Sequence, residues 1–220
     1  MSAPIHLFSG YDKRESVGFH TFTHSVIEHA SRPVSIIPLA AMTLPEGSNC
    51  FTVSRFLVAW LMGFQGHAIF CDASDMLCTG DIAELDSLFD PAYAIQVVKH
   101  PEYKTRHRTK YRGTDMECPN LDYPMKNWAS VFICNAAHPH WREMTPANLR
   151  HRKPLDLLSF DWTDAIGELP AEWNRLVDEG HDYGNILHWT GGAPFMSAYV
   201  DAPFAGHWHS AYEDMIRARK

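Results

Sequence analysis

Two stretches carry residue types that could act on the same chemistry: Asp72-Ala73-Ser74-Asp75 and His188-Trp189-Thr190-Gly191-Gly192-Ala193-Pro194. Two carboxylates this close repel each other unless a cation sits between them. Mg2+ and Mn2+ take oxygen ligands, usually one or two carboxylates together with substrate phosphates. Asp and Ser also favour capped turns, so spacing alone leaves a turn and a metal site level. His188 offers a neutral imidazole at the end of an apolar run. Gly191 and Gly192 let the backbone approach a phosphate and supply N–H donors, although Gly-Gly before Pro is also a common turn. Together the two stretches make one consistent set: a cation, two carboxylates, a histidine and a phosphate-facing loop.

Other candidates are less defined. The segment from Lys99 to Arg112 mixes cations with aromatics. Three readings stand for it: a solvated loop, a groove for single-stranded nucleic acid, and a lid that orders over phosphates. Lys99 and Lys126 are candidate phosphate or acceptor contacts. Asn135 closes an apolar run and is placed either to hydrogen-bond a sugar or to cap a turn. Asp164 follows Trp162 and is placed as a helix N-cap or as a free carboxylate. Trp128, Trp162, Trp173, Trp189 and Trp208 could stack on a sugar or base, yet most buried tryptophans are core. His138-Pro139-His140 and His207-Trp208-His209 lack a complete zinc ligand set.

The elements that must position these residues follow from periodicity. Ile5 to Phe8 and Val34 to Leu39 predict strands around a helix over Glu15 to Ser31, whose Val17, Phe19, Phe22, Val26 and Ile27 recur at helical spacing. Strand, helix, strand in that order predicts a right-handed crossover and a parallel sheet. A helix over Ser54 to Met62 precedes a buried strand, His67 to Cys71, and the acidic cluster begins at that strand's carboxyl end. Ligands of open α/β sheets bind beyond such ends. Further strands are predicted at Ala94 to Val98, Ser130 to Cys134 and Ile186 to Trp189. Short or surface helices are predicted after Asp81, at Pro146 to Leu149 and over Ser210 to Arg219. No repeat or linker interrupts the pattern, which predicts one domain over 1–220.

Composition bounds the rest. The 220 residues carry a net charge of −7 and a 45% hydrophobic fraction, an ordinary globular balance that argues against a protein coating nucleic acid. Five cysteines without a Cys-x-x-Cys pair speak for free thiols rather than a zinc ribbon or disulfide framework. No basic region leads into an apolar stretch at the N-terminus, and the longest apolar run, Phe56 to Phe64, is too short to span a bilayer. The expectation is a soluble cytoplasmic protein. Nothing in the sequence specifies its oligomeric state.

Phe70 to Leu77, followed by Gly80-Asp81-Ile82-Ala83-Glu84-Leu85, resembles the Asp-x-Asp segment of glycosyltransferases of the glycogenin and galactosyltransferase type. His188 to Pro194 is similar to their late His-x-x-Gly motif. Gly10 to Glu15, Lys126 to Ser130, and Ile166 to Pro170 with Trp173-Asn174 resemble a small bacterial and phage branch of these enzymes. The resemblance covers about residues 5 to 208. It implies a GT-A fold, a Rossmann-like mixed α/β sheet flanked by helices in a single domain. It also implies a nucleotide-diphosphate sugar donor, with UDP the first expectation, and Mn2+ or Mg2+ as cofactor. By matching motifs, Asp75 and His188 would ligate the metal, and Asp72 would contact the metal or the ribose. Gly10, Tyr11 and Asp12 would lie near base and ribose, Arg55 would face the nucleotide, and Asp164 would stand near the acceptor and the anomeric carbon.

Two departures stand out. Two residues separate the aspartates where the family has one, so either Asp72 has left the metal's ligand set or Ser74 fills a polar position. The family's late lysine is missing, with Ala193 before Pro194, so another cation from the basic segment must supply its charge. The acceptor implied is a glycan or, from the phage-like branch, hydroxymethylated DNA. A nucleotide-binding module that has lost catalysis is the alternative outside enzymes.

Overall fold

The computed structural model describes residues 3–40, 44–45 and 47–217. Its first half runs β1 (Ile5–Gly10), α1 (Ser16–His29), β2 (Val34–Leu39), α2 (Val58–Leu61), β3 (His67–Cys71), β4 (Met76–Cys78), α3 (Ile82–Ser87) and β5 (Ile95–Val97). A two-residue ribbon follows, β6 (Thr109–Lys110) with β7 (Cys118–Pro119). The chain continues through β8 (Val131–Asn135), α4 (Pro146–Leu149), α5 (Pro154–Leu158), β9 (Ile166–Glu168), β10 (Arg175–Leu176), β11 (Ile186–His188) and α6 (Ala205–Arg217). Residues 218 and 219 of the expected last helix lie outside the described residues.

Six strands form the main sheet in the order β2-β1-β3-β8-β5-β9. All are parallel except β8, which runs against both β3 and β5. The parallel sheet expected from the first crossover is therefore mixed, the arrangement of the GT-A fold. A second sheet, β10-β11-β4, extends from the carboxyl edge of β3.

The strands read as continuous apolar runs because both faces of the sheet are covered. Side chains alternate between faces. Leu7, Ile69 and Ile133 lie in register and pack with Phe22 and Val26 of α1. One residue on, Phe8, Phe70 and Phe132 face the opposite layer, with Phe56 and Trp141. The Phe70 and Phe132 rings stack 4.9 Å apart. Asp81 caps α3 by accepting from the Ala83 amide at 2.9 Å, as its position before the helix implied.

β4, β9 and β10 are not apparent in the sequence. They are two or three residues long, too short to display a period of two.

Candidate active site

Beyond Cys71 the chain turns sharply. The Ser74 amide donates to the Asp72 carbonyl at 2.9 Å and the Met76 amide to the Ala73 carbonyl at 3.0 Å. Ala73 takes φ +70°, a left-handed conformation that side chains other than glycine rarely adopt. The extra residue between the aspartates is thus absorbed by a left-handed turn, and both carboxylates face one cavity. β4 leaves this turn and pairs antiparallel with β11, setting His188 opposite Met76. The Trp189 amide then donates to the Asp75 carbonyl at 2.9 Å. A ladder of three residue pairs brings together groups more than a hundred positions apart.

Ligand-capable atoms of Asp72, Asp75 and His188 lie within 4.8 Å of one another, and all three residues are buried. His188 Nε2 is 3.5 Å from Asp75 Oδ2. Asp75 Oδ1 is buried with no hydrogen-bond partner. Asp72 Oδ1 lies 2.7 Å from Arg55 Nη1, an ion pair outside hydrogen-bond alignment. Burial drives both carboxyls toward the neutral form. At Asp72 burial, reinforced by the Asp75 charge, outweighs Arg55 and the pKa rises. At Asp75 the neighbouring His188 and Lys110 outweigh burial and the pKa falls. An unpartnered buried carboxylate oxygen, a second carboxylate and an imidazole suit a divalent cation. The imidazole in the set favours Mn2+ over Mg2+, which keeps to oxygen ligands.

The imidazole is held from behind. His188 Nδ1 is 2.9 Å from Asn174 Oδ1, and Asn174 Nδ2 donates to the Asn127 carbonyl at 3.0 Å. The second bond fixes which way the Asn174 amide points. Its oxygen therefore faces the ring, Nδ1 must be the donor, and the neutral ring keeps its lone pair on Nε2, toward Asp75. Asn174 is fully buried.

Asn49, Thr52 and Tyr123, which sequence reasoning missed, line the cavity with the triad, joined by Lys110 and Tyr111 of the basic segment and by Asn127 and Ser130 of the Lys126–Ser130 motif. Asn127, at φ +66°, has a buried Nδ2 without a partner. The basic segment crosses the site as a roof. Tyr111 is buried, and its amide donates to the Gly191 carbonyl at 2.7 Å. The Arg112 amide donates to the Tyr199 hydroxyl at 3.1 Å. Under this roof the cavity has a volume of only about 50 Å3. Glu15 is buried behind Asp75, with Ser74 Oγ donating to its Oε2 at 3.3 Å. Burial, Asp75 and Asp12 push its carboxyl up to about 8.

Several expected site residues lie elsewhere. Because β8 is antiparallel, its last residue, Asn135, pairs with His67 at the start of β3, on the edge opposite the metal ligands. Its Nδ2 donates to the carbonyls of Pro91 and Tyr93. Asp164 precedes β9, which runs with β3, so it stands on that same far edge with its side chain 97% exposed. The chain reaches the site before β8, through Asn127 and Ser130.

The amides of Gly191 and Gly192 do not face the cavity. Gly191 N donates to Asp178 Oδ2 at 2.7 Å, Thr190 N to Asp178 Oδ1 at 3.0 Å, and Gly192 N to the Trp189 carbonyl. Gly192 is needed for another reason: a Cβ there would meet the Tyr199 ring at 2.5 Å. Ser74 is turned onto Glu15, away from the cavity.

Around β1, Gly10 packs under Phe51, Tyr11 meets Phe19 edge-on, and Asp12 is taken up by Arg14 and the Cys50 amide. None of the three lines the cavity. Lys99 Nζ sits 3.6 Å from Glu168 and over the Trp128 ring. Lys126 Nζ donates to Asn120 Oδ1 and the Leu121 carbonyl. Of the three lysines, Lys110 lines the cavity and Lys99 and Lys126 do not. Arg55 does line the cavity. Trp173, Trp189 and Trp208 are core.

No family model matches this sequence. Protein CDI of Arabidopsis thaliana is 32% identical over 239 aligned positions, covering 99% of this chain and 89% of that protein. The solved apo structure of the WbbM bifunctional glycosyltransferase superposes with a TM-score of 0.67 at 13% identity; 99% of this chain is covered but only 52%, about half, of that one. The galactosyltransferase LgtC, solved with donor and acceptor sugar analogs, gives a TM-score of 0.60 at 10% identity over 96% of both chains. At such identities the likeness is one of fold. No helix among the described residues is long and apolar enough to cross a membrane.

Proposed function

The chain belongs to the family of Arabidopsis thaliana protein CDI, and from its GT-A fold and its buried Asp-Asp-His set we propose that it is a metal-dependent glycosyltransferase. It takes a nucleoside-diphosphate sugar, UDP-linked as first choice, and passes the sugar to a hydroxyl of a glycan. The observation that carries this reading is the buried Asp72, Asp75 and His188 set at the carboxyl edge of β3, with an unpartnered Asp75 oxygen. Asp72, Asp75 and His188 would hold Mn2+ or Mg2+, which as a Lewis acid offsets charge growing on the departing diphosphate.

The remaining roles fall to the chain's own groups. Asn174 keeps Nε2 of His188 free for ligation. Arg55, paired with Asp72 at 2.7 Å, fixes where that carboxylate points. Lys110 stands where the family's late lysine is missing and places its ammonium beside the developing negative charge. Asn127 Nδ2 supplies a neutral donor to the same space. Tyr111 and its neighbours exclude water once the donor is in. A nucleotide site ordinarily spans a few hundred Å3, so the roof must lift for the donor to enter.

With Asp164 on the far edge, Asp72 and Asp75 are the only carboxylates lining the cavity among the described residues. Both belong to the metal set, which favours transfer with retention over base-assisted inversion. Two alternatives lose their motivation. The glycosyltransferase neighbours lend the modified-DNA acceptor no support, and two cations of the basic segment are turned to other contacts, Lys110 inward to the cavity and Arg112 over the Tyr199 ring. The irregular aspartate spacing, which suggested a lapsed enzyme, is taken up by the Ala73 turn.

A donor-hydrolysis assay with UDP-sugars and Mn2+ tests the proposal. Turnover should need metal and disappear in a folded Asp75→Ala variant. Metal-independent turnover, or an Asp75→Ala variant as active as the parent, sinks it.

A further inference from the structure

The metal set at the end of β3 divides the carboxyl edge of the sheet. β1 and β2 lie on one side of it and β8, β5 and β9 on the other. On the β1 side, Asn49, Thr52 and Arg55 already line the metal cavity. On the β5 side, the chain leaves Val97 through Val98 and Lys99 into His100, and a second cavity opens. It has a volume of about 360 Å3 and lies between residues 100–104 and 122–128. Tyr123 borders both cavities, so an occupant of the second abuts whatever fills the first.

The walls have a definite chemistry. Tyr103, Tyr123 and Trp128 present aromatic rings. Lys126 Nζ lies 5.8 Å and 6.0 Å from the centroids of the two tyrosine rings, and Lys99 Nζ 6.0 Å from Trp128. Those cations are balanced: Lys99 by Glu168 at 3.6 Å, Lys126 by Asp122 at 4.0 Å, with Lys104 beside Glu102 on the rim. Balanced charge over aromatic rings does not select a polyanion, whose binding needs surplus cations. Aromatic walls with balanced charge suit a neutral ligand that offers apolar ring faces between its hydroxyls.

We propose that the cleft between His100–Lys104 and Asp122–Trp128 is the acceptor subsite, and that it takes an uncharged sugar ring stacked on Trp128. This deepens the glycosyltransferase reading and rests on it. Saturation-transfer NMR on the full chain, with Mn2+ and UDP present, is run against a mixture of glucose, galactose, mannose and N-acetylglucosamine. Thermal shift with UDP and Mn2+ is run beside it.

Wild-type protein should pass saturation to at least one sugar. Trp128→Ala should weaken that sugar's binding about tenfold, the loss of a good ring contact. Lys104→Trp, which fills the cleft from an exposed position, should remove the signal. Both variants should keep the UDP-dependent thermal shift. Absence of signal from all four sugars while UDP binds overturns the cleft assignment alone, as do signals unchanged in both variants. Loss of the UDP shift in both variants gives the cleft to the donor and also overturns it. Absence of metal-dependent UDP binding in the wild type removes the underlying reading, and the subsite with it. If Trp128→Ala does not fold, Lys104→Trp decides.

Discussion

Asn174 offers the most discriminating test of how the metal set is built. Replacement by Leu keeps the volume close but removes the acceptor that holds His188 Nδ1–H and the donor that anchors to Asn127. Two effects follow. A buried N–H left unpaired costs about 1–3 kcal/mol of stability. For a chain of this size that lowers the melting temperature by roughly 2–4 °C per kcal/mol. Separately, the ring is free to rotate or change tautomer, and removing such an outer partner typically weakens metal binding about 10–100-fold.

The two effects are separable with Asn174→Asp. That variant keeps an oxygen toward Nδ1 but loses the donor to the Asn127 carbonyl, so it should melt lower while binding Mn2+ within about threefold of wild type. Calorimetric titration with Mn2+, paired with metal-free melting curves, reads both quantities. A folded Asn174→Leu protein with wild-type Mn2+ affinity would refute the relay. Equal losses of affinity in the Leu and Asp variants would refute it too, since both would then reflect destabilisation rather than ring orientation.

Two further outcomes follow from the same geometry. Lys110→Met should lower kcat about 100–1000-fold, the scale of one missing charge-stabilising donor. Mn2+ affinity should stay unchanged or tighten, because a cation beside Asp75 is gone; a parallel loss of Mn2+ binding contradicts the assigned role. Glu15, pushed from an ordinary 4.5 up to about 8, keeps in the folded state a proton that the unfolded chain has released across that interval. The folded state binds more protons, so metal-free stability falls as pH rises from about 4.5 to 8. Glu15→Gln should flatten that fall by roughly 8–15 °C between pH 5 and 8.5; an unchanged pH slope in metal-free melts counts against it.

The parts legible in the sequence were those fixed locally. The apolar runs of β1, β2 and β3 declare themselves, and an acidic turn placed directly after a buried strand points to a site without knowledge of anything distant. His188 could be paired with that turn because each stretch had a chemistry the other lacked. Direction was not legible. Asn135 was placed at the site on the premise that a strand's end faces the ligand, which holds for parallel strands, and Asp164 was placed there by resemblance alone. The reversal of β8 is a property of the sheet, not of its five residues. The setting of Gly191 was hidden for a related reason: whether an amide is free depends on Asp178, whose carboxylate arrives by folding. In the basic segment the cations were visible, but only the course of the roof selects Lys110.

That roof is fastened to the loop that carries His188. The Tyr111 amide bonds to the carbonyl of Gly191, three residues past the imidazole. Any motion wide enough to admit a nucleotide breaks this bond and frees one side of the loop. Access to the site and the aim of its last metal ligand are therefore one mechanical coordinate. On the reading proposed above, such coupling predicts that His188 takes its place as a metal ligand only once the roof has closed over the donor. It also sets a ceiling on turnover at the rate of gate opening, however fast the sugar moves within.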